Sequence, residues 1–403
     1  MNVRIYPSLA RGSVSAPPSK SMAHRALICA ALSSGVSRIC GVSDCEDVSA
    51  TLDCLRALGA ECKIENDTVT IQGIDFTQAQ NTTLPCRESG STMRFMLPLC
   101  LLSGKEATLV GAPSLLRRPM KLYQNLCAKH DLFFEQTEQG ITVKGPLSAG
   151  EYTLPGDVSS QFISGMLFAL TQLSGESILH ILPPFESRSY VLLTLQALAA
   201  FGADVEWLDD LTLCIRGGKP MIAQNITVEG DYSNAAFLSA FNLLGGEVKV
   251  TGLNSASLQG DRVYVEHFAS LADGFATISL ADCPDLAPIL FALAAKERGG
   301  RFTDTRRLAI KESNRAEVMA QELRKFDTTV EVHENEVIIT PTAFHAPTET
   351  LLGHNDHRIV MSLTVLATLT GGVIEGAEAV AKSFPDFFER ISSLGIKIEE
   401  ITQ

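Results

Sequence analysis

Several short polar words in this chain place cations, hydroxyls and carboxylates where an apolar helical pattern begins. The first, APPSKSMAHR, gathers Lys20, Ser21 and Arg25 at a helix start behind two prolines, with Ser19 placed to cap it. Free N–H groups at a helix N-terminus already favour anions, and adding Lys and Arg makes a phosphate or carboxylate site. RESGSTMR puts Gly90 at a second helix start with Arg94 one turn in; glycine there lets a ligand approach the backbone closely. GDVSSQFISG offers Ser159, Ser160 and Gln161 at a third. Neutral donors of that kind suit phosphate or sugar-like hydroxyls, although helix capping would account for the serines alone. ADCPDLAP sets Asp285 behind Pro284, AIKESNR brings Lys311, Glu312 and Arg315 together, GHNDHR holds Asp356, His357 and Arg358, and AKSFPDFFER holds Lys382. A carboxylate flanked by cations is either a surface salt bridge or an acid–base group with a tuned proton affinity.

Other chemistries fit less well. His354 and His357 form an H-x-x-H pair without a third ligand nearby, so no metal is expected. Neither a G-x-x-x-x-G-K-[ST] phosphate loop nor a G-x-G-x-x-G fingerprint occurs, so no nucleotide cofactor is expected either. Any reaction would rest on side chains.

The elements that carry these words repeat. An apolar helical run stopped by glycine leads to a short strand, a second amphipathic helix and a β-hairpin. The first copy shows it: MAHRALICAALSSG is a helix stopped by Gly35, VSRICGV a strand, DVSATLDCLRALGA a helix, and ECKIENDTVTIQG a hairpin turning at Asn66-Asp67. Further copies start near Thr92, Phe162, Asn234, Leu286 and His357, so the chain holds six. Signatures of ankyrin, leucine-rich or helical arrays are absent. Three copies per domain suit 403 residues. The break is expected near Gly230, and the first strand, NVRIYP, should complete the C-terminal half. The expected domains are residues 1–16 with 231–403, and 17–230, joined by two crossing segments that could hinge.

Composition narrows the class. Apolar residues at 45% and charged residues at 20% describe an ordinary folded chain. No apolar stretch is long enough for a bilayer. The N-terminal stretch lacks the apolar core of a signal peptide, which predicts a cytoplasmic protein. Ten scattered cysteines without a C-x-x-C pair read as buried thiols in a reducing compartment. A net charge of −13 argues against nucleic acid as a partner, so any basic site must be local.

Taken together, PSKSMAHRAL, SGSTMR, LRRPM, DVSSQF, ESRSY, VEGDYSNAAF, PDLAP, KESNR, NDHRIVM and AKSFPDFF occur in the order found in one family. Over its whole length the chain resembles the 5-enolpyruvylshikimate-3-phosphate synthases, or 3-phosphoshikimate 1-carboxyvinyltransferases. The resemblance implies an α/β fold of two domains, each of three βαβαββ units around a pseudo-threefold axis, with the active site in the cleft between them. It implies transfer of the enolpyruvyl group of phosphoenolpyruvate to the 5-hydroxyl of shikimate 3-phosphate by a monomer, with no metal or organic cofactor. Shikimate 3-phosphate would meet Lys20, Ser21, Arg25, Ser159, Ser160, Gln161, Ser187, Tyr190, Asp285 and Lys311. Phosphoenolpyruvate would meet Lys20, Gly90, Arg118, Gln161, Arg315, Arg358 and Lys382. In this scheme Asp285 is the candidate base, Glu312 the candidate acid, and Lys20 and Lys382 stabilise charge on the bridging and leaving oxygens.

The chain departs from the family pattern at Glu88, Ser91, Phe95, Arg307 and Asn314, which bears on fine specificity, including the response to glyphosate near Gly90. Two alternatives stand beside this expectation. The enolpyruvyl transferases acting on UDP-N-acetylglucosamine carry Lys-Asn where this chain has Lys20-Ser21, and a reactive cysteine where this chain reads GAPSLLRRPM. A non-catalytic binding paralogue would have lost Lys20, Asp285 or Glu312, and all three are present.

Overall fold

A computed structural model describes residues 1–80 and 82–401. The chain divides into two compact units, Pro18–Glu229, and Met1–Pro17 together with Gly230–Gln403.

In the unit Pro18–Glu229, one plan recurs three times. Its second occurrence is the plainest. Strand Thr82–Pro85 leads into the inner helix Gly90–Cys100 and on to strand Glu106–Val110, which lies parallel to the first. An outer helix, Lys121–Lys129, then precedes the hairpin Phe133–Gln136 and Ile141–Lys144, which adds two antiparallel strands to the sheet. Parallel neighbours need such a helical crossover, whereas the hairpin needs only a turn. The third copy repeats this with inner helix Ser160–Leu170 and outer helix Arg188–Ala200. The first copy has inner helix Lys20–Leu32 but borrows its parallel edge strand, Asn225–Thr227, from the end of the unit. Its hairpin turns where expected, with Asn66 at φ 55°, a conformation asparagine tolerates better than most residues.

The unit Met1–Pro17 with Gly230–Gln403 has inner helices Tyr232–Ala240, Ala287–Lys296 and His357–Thr370. Two of its sheets are four-stranded. In one of these, strand Asn2–Ile5 lies in the middle, antiparallel to both Gly372–Glu375 and Ile398–Ile401. The fourth copy is shorter than the others. Among the described residues its sheet contains only Arg11–Ser15 and Glu247–Thr251, in parallel, and helix Tyr264–Asp273 follows without a hairpin.

The inner helices are apolar on nearly every side because other elements surround them, as expected of a core helix. Two of them come very close. A Cβ at Gly165 would lie 2.4 Å from both the Arg94 carbonyl oxygen and the Tyr123 hydroxyl. That hydroxyl shares its one proton between Arg94 O at 2.8 Å and Phe162 O at 3.0 Å, tying the second and third inner helices together. The first inner helix ends at Leu32, before the expected stop. Ser33–Ser34 pairs there with Met221–Ile222, and Gly35, at φ 98°, only turns the chain afterwards.

Candidate functional site

Within the unit Pro18–Glu229, the starts of the inner helices bring their polar words together. Ser19 holds the N-cap position of the first without a side-chain capping bond, so its expected cap is not formed. Lys20 Nζ instead meets Asp47 Oδ2 at 2.7 Å, from the first turn of helix Glu46–Ala57. Arg25 is buried and donates to Thr194 Oγ1 at 2.8 Å, to Ser21 O at 2.6 Å and to Tyr190 O at 2.9 Å. Burial lowers its pKa to about 10, which still leaves it charged at neutral pH. The Phe95 ring lies 5.3 Å beneath that guanidinium, giving this departure from the family pattern a cation–π role. Ser187, at the N-terminus of helix Arg188–Ala200, is buried with φ 54°. Left-handed backbone at a buried serine costs energy and is held in place only by its surroundings.

The second and third helix starts are bridged by one amide. Arg94 donates to Gln161 Oε1 at 2.6 Å, and Gln161 Nε2 donates to Ser91 Oγ at 2.9 Å. Ser89 and Ser159 serve as caps, accepting from the backbone N–H of Thr92 and of Gln161. Ser160 is buried in the first turn of its helix. Gly90 opens the second helix beside Arg118, where an added Cβ would sit 2.7 Å from an Arg118 guanidinium nitrogen.

The other unit holds a tighter cluster of opposite charges. Asp285, in the short turn Pro284–Leu286 before the fifth inner helix, accepts from Lys311 at 3.1 Å, Arg315 at 2.8 Å and Arg358 at 3.2 Å. Arg315, only 1% exposed, also pairs with Glu312 at 2.6 Å and with Asp356 at 2.9 Å. Arg358 donates to Ser233 Oγ at 2.6 Å, and Lys382 to the Asn355 carbonyl at 2.7 Å. Burial pushes the Asp285 carboxyl up, but Arg358, Lys311 and Arg315 outweigh it and hold the group well below the usual carboxylate range. Burial lowers Lys311 in turn, partly offset by Asp285. Burial also works against Arg315, yet Asp356, Glu312 and Asp285 together raise it. Arg307 is buried nearby, donates to Ala281 O, and adds its charge to the field that lowers Lys311.

The site residues expected from the sequence gather at helix starts and adjoining turns: Lys20, Gly90, Ser160 and Asp285 at inner helices, but Ser187 and Tyr190 on helix Arg188–Ala200 and Lys311, Glu312 and Arg315 at the start of helix Arg315–Arg324. Three further residues matter to the geometry and had been given no role of their own. Asp47 holds Lys20, Asp356 holds Arg315, and Arg94 holds Gln161. Arg94 and Asp356 lie inside the polar words, so their place in the pattern was visible; nothing in DVSATLD marks Asp47. His354 Nε2 faces Glu322 at 2.9 Å. No group of three or more potential metal ligands occurs among the described residues, and no described helix is long and apolar enough to cross a membrane.

Charged helix starts on units of repeated α/β architecture have the chemistry that suits small anionic ligands. Comparison with known proteins makes this specific. The sequence profile described as EPSP synthase (3-phosphoshikimate 1-carboxyvinyltransferase) matches residues 7–391. A protein of Clostridium kluyveri named 3-phosphoshikimate 1-carboxyvinyltransferase is 37% identical over 99% of this chain and 98% of its own length. One of Clostridium perfringens with the same name is 35% identical over 98% of both. A solved EPSP synthase from Acinetobacter baumannii matches with a TM-score of 0.79 at 26% identity over 99% of each chain. The chain belongs to the EPSP synthase family, with the two-domain α/β fold expected of it. These relatives do not favour the UDP-N-acetylglucosamine alternative.

Proposed function

We propose that this chain transfers the enolpyruvyl group of phosphoenolpyruvate to the 5-hydroxyl of shikimate 3-phosphate and releases phosphate, within the shikimate pathway of aromatic amino-acid biosynthesis. The observation that carries the proposal is the convergence of Lys311, Arg315 and Arg358 on Asp285 in a member of this family. Asp285 and Lys311 act on shikimate 3-phosphate together with Lys20, Ser21, Arg25, Ser159, Ser160, Gln161, Ser187 and Tyr190. Arg315, Arg358 and Lys382 take phosphoenolpyruvate together with Lys20, Gly90, Arg118 and Gln161. Guanidinium forks suit a carboxylate and a phosphate, and serine and glutamine suit a polyhydroxy ring.

The chemistry needs one proton removed and one supplied. Asp285 takes the proton of the 5-hydroxyl as its oxygen bonds to the central carbon of phosphoenolpyruvate, and Glu312 gives a proton to the methylene, forming a tetrahedral adduct. The carbon–oxygen bond to phosphate then breaks, the new methyl group returns its proton to Glu312, and the hydroxyl proton held by Asp285 leaves with the phosphate, forming the enol ether. Lys20 and Lys382 stabilise the charge on the bridging and leaving oxygens. Without ligand, Asp285 is ionised but a weak base, because three cations hold it. The carboxylate and phosphate of phosphoenolpyruvate compete for those cations, and each one that turns to the ligand returns proton affinity to Asp285.

The enzyme acts as a cytoplasmic monomer with no cofactor. In support of a reducing compartment, its ten cysteines are all free thiols. Turnover of Asp285→Asn and Glu312→Gln proteins that remain folded tests the assignment. Each should lose activity by roughly 10²–10⁴-fold, the usual worth of an acid–base group. A near wild-type rate in either would remove that residue from its role.

A further inference from the structure

We propose that Glu322 is a positioning residue for the phosphoenolpyruvate-binding cations of its unit, acting through the turn at His354 and Asn355; the inference rests on the substrate reading above. Glu322 lies on helix Arg315–Arg324 and is only 1% exposed. Its carboxylate accepts from Lys325 Nζ at 3.0 and 2.8 Å, from the Leu352 backbone N–H at 2.9 Å and from His354 Nε2 at 2.9 Å. A carboxylate can only accept, so His354 presents its Nε2 proton. Burial pushes the carboxyl up, yet these hydrogen bonds hold it below its ordinary value, so it stays ionised. A buried charge that takes donors both from its own helix end and from the segment Leu352–His354 favours one arrangement of the two, because any other leaves it poorly paired.

The arrangement it favours is an unusual one. His354 and Asn355 both take left-handed backbone, at φ 49° and 53°. Two such residues in succession persist only where their surroundings fix them. Lys325 also donates to Thr350 O at 2.8 Å, and Gly353 N–H to Glu375 O at 2.8 Å, so the chain leading into the turn is tied on both sides. What the turn presents is the support for three cations. Asn355 O accepts from Lys382 at 2.7 Å. Asp356 accepts from Arg315 Nε at 2.9 Å and from the backbone N–H of Arg358 at 3.0 Å, capping the sixth inner helix. A shift of the turn would therefore move Lys382, Arg315 and Arg358 together while leaving the Lys20, Arg25 and Gln161 contacts of the other unit intact.

Steady-state kinetics of full-length Glu322→Gln, which keeps the side chain's shape and removes its charge, tests the inference. The KM for phosphoenolpyruvate should rise on the order of 10-fold or more, and by a clearly larger factor than that for shikimate 3-phosphate, which meets only Asp285 and Lys311 in this unit, as expected from displaced positioning groups. In a Lys382→Met background the same substitution should add less than it does alone, because residues on one path are not additive. A folded Glu322→Gln protein with an unchanged phosphoenolpyruvate KM, an equal rise in both KM values, or full additivity with Lys382→Met would overturn the proposal. Should Glu322→Gln fail to fold, Lys325→Met removes one donor and should give a smaller rise of the same selectivity; an unselective or absent effect overturns the proposal equally. A wild-type protein with no shikimate 3-phosphate-dependent phosphate release would overturn the substrate reading and this inference with it. An active wild type with an unselective variant sinks the inference alone.

Discussion

At the scale of single residues, Gly90 and Asp285 give the sharpest expectations. The atoms a Cβ at Gly90 would meet are the guanidinium nitrogens of Arg118 at 2.7 Å and Arg94 at 3.5 Å, which are ends of flexible side chains. Gly90→Ala should therefore fold and melt like the wild type but push Arg118 aside. Its KM for phosphoenolpyruvate should rise roughly 10-fold with that for shikimate 3-phosphate unchanged; kinetics showing no such rise would remove Arg118 from phosphoenolpyruvate binding. Asp285 makes a prediction about pH. Its folded pKa lies well below the ordinary 3.8, so the stability it contributes is complete above that value and is lost as pH falls through the folded one. Urea midpoints followed into acid should fall less steeply for Asp285→Asn than for the wild type, and equal slopes would contradict the ion-pair assignment. Much of this site was legible because its residues stand in compact words, Lys20 to Arg25 and Lys311 to Arg315 among them. Asp47 was not, since only the fold brings it 2.7 Å from Lys20. Phe95, an anomaly in the pattern, acquires a reason only once its ring is seen beneath Arg25.

Secondary-structure elements were legible where hydrophobic period and glycine agreed, which held for the inner helices and the hairpin at Asn66-Asp67. They were less so where tertiary partners decide. The first inner helix stops at Leu32 because Ser33–Ser34 finds a strand partner in Met221–Ile222. The fourth copy keeps the repeat's helix and strand, yet helix Tyr264–Asp273 leads on with no hairpin. Helix spacing is likewise set by contacts that sequence does not reveal. Gly165 lets the second and third inner helices approach until the Arg94 carbonyl occupies the space a side chain would need. Gly165→Ala should cost about 1–3 kcal/mol, the usual penalty for overpacking, and should loosen the Arg94–Gln161 bond. Urea denaturation checks the first expectation. A change under about 0.5 kcal/mol would show that the helices can separate without cost.

At the scale of the whole molecule, the chain's first residues form an interior strand. Asn2–Ile5 pairs with both Gly372–Glu375 and Ile398–Ile401, so segments nearly four hundred residues apart share one sheet. Chain termini usually tolerate trimming, but here the backbone hydrogen bonds of two other strands depend on one terminus. Removing residues 1–6 should make the unit that includes Gly230–Gln403 sensitive to limited proteolysis, and a wild-type digestion pattern would contradict the pairing. The six-copy repeat has a functional meaning at this scale as well, because it places a polar word at each inner-helix start and so distributes one chemistry over distant parts of the sequence. The most direct test of the proposed activity is phosphate release from phosphoenolpyruvate by the full-length protein, measured without acceptor, with shikimate 3-phosphate and with UDP-N-acetylglucosamine. The prediction is release with shikimate 3-phosphate alone, one phosphate for each acceptor consumed; release that ignores shikimate 3-phosphate, or none with it, would contradict the proposed function.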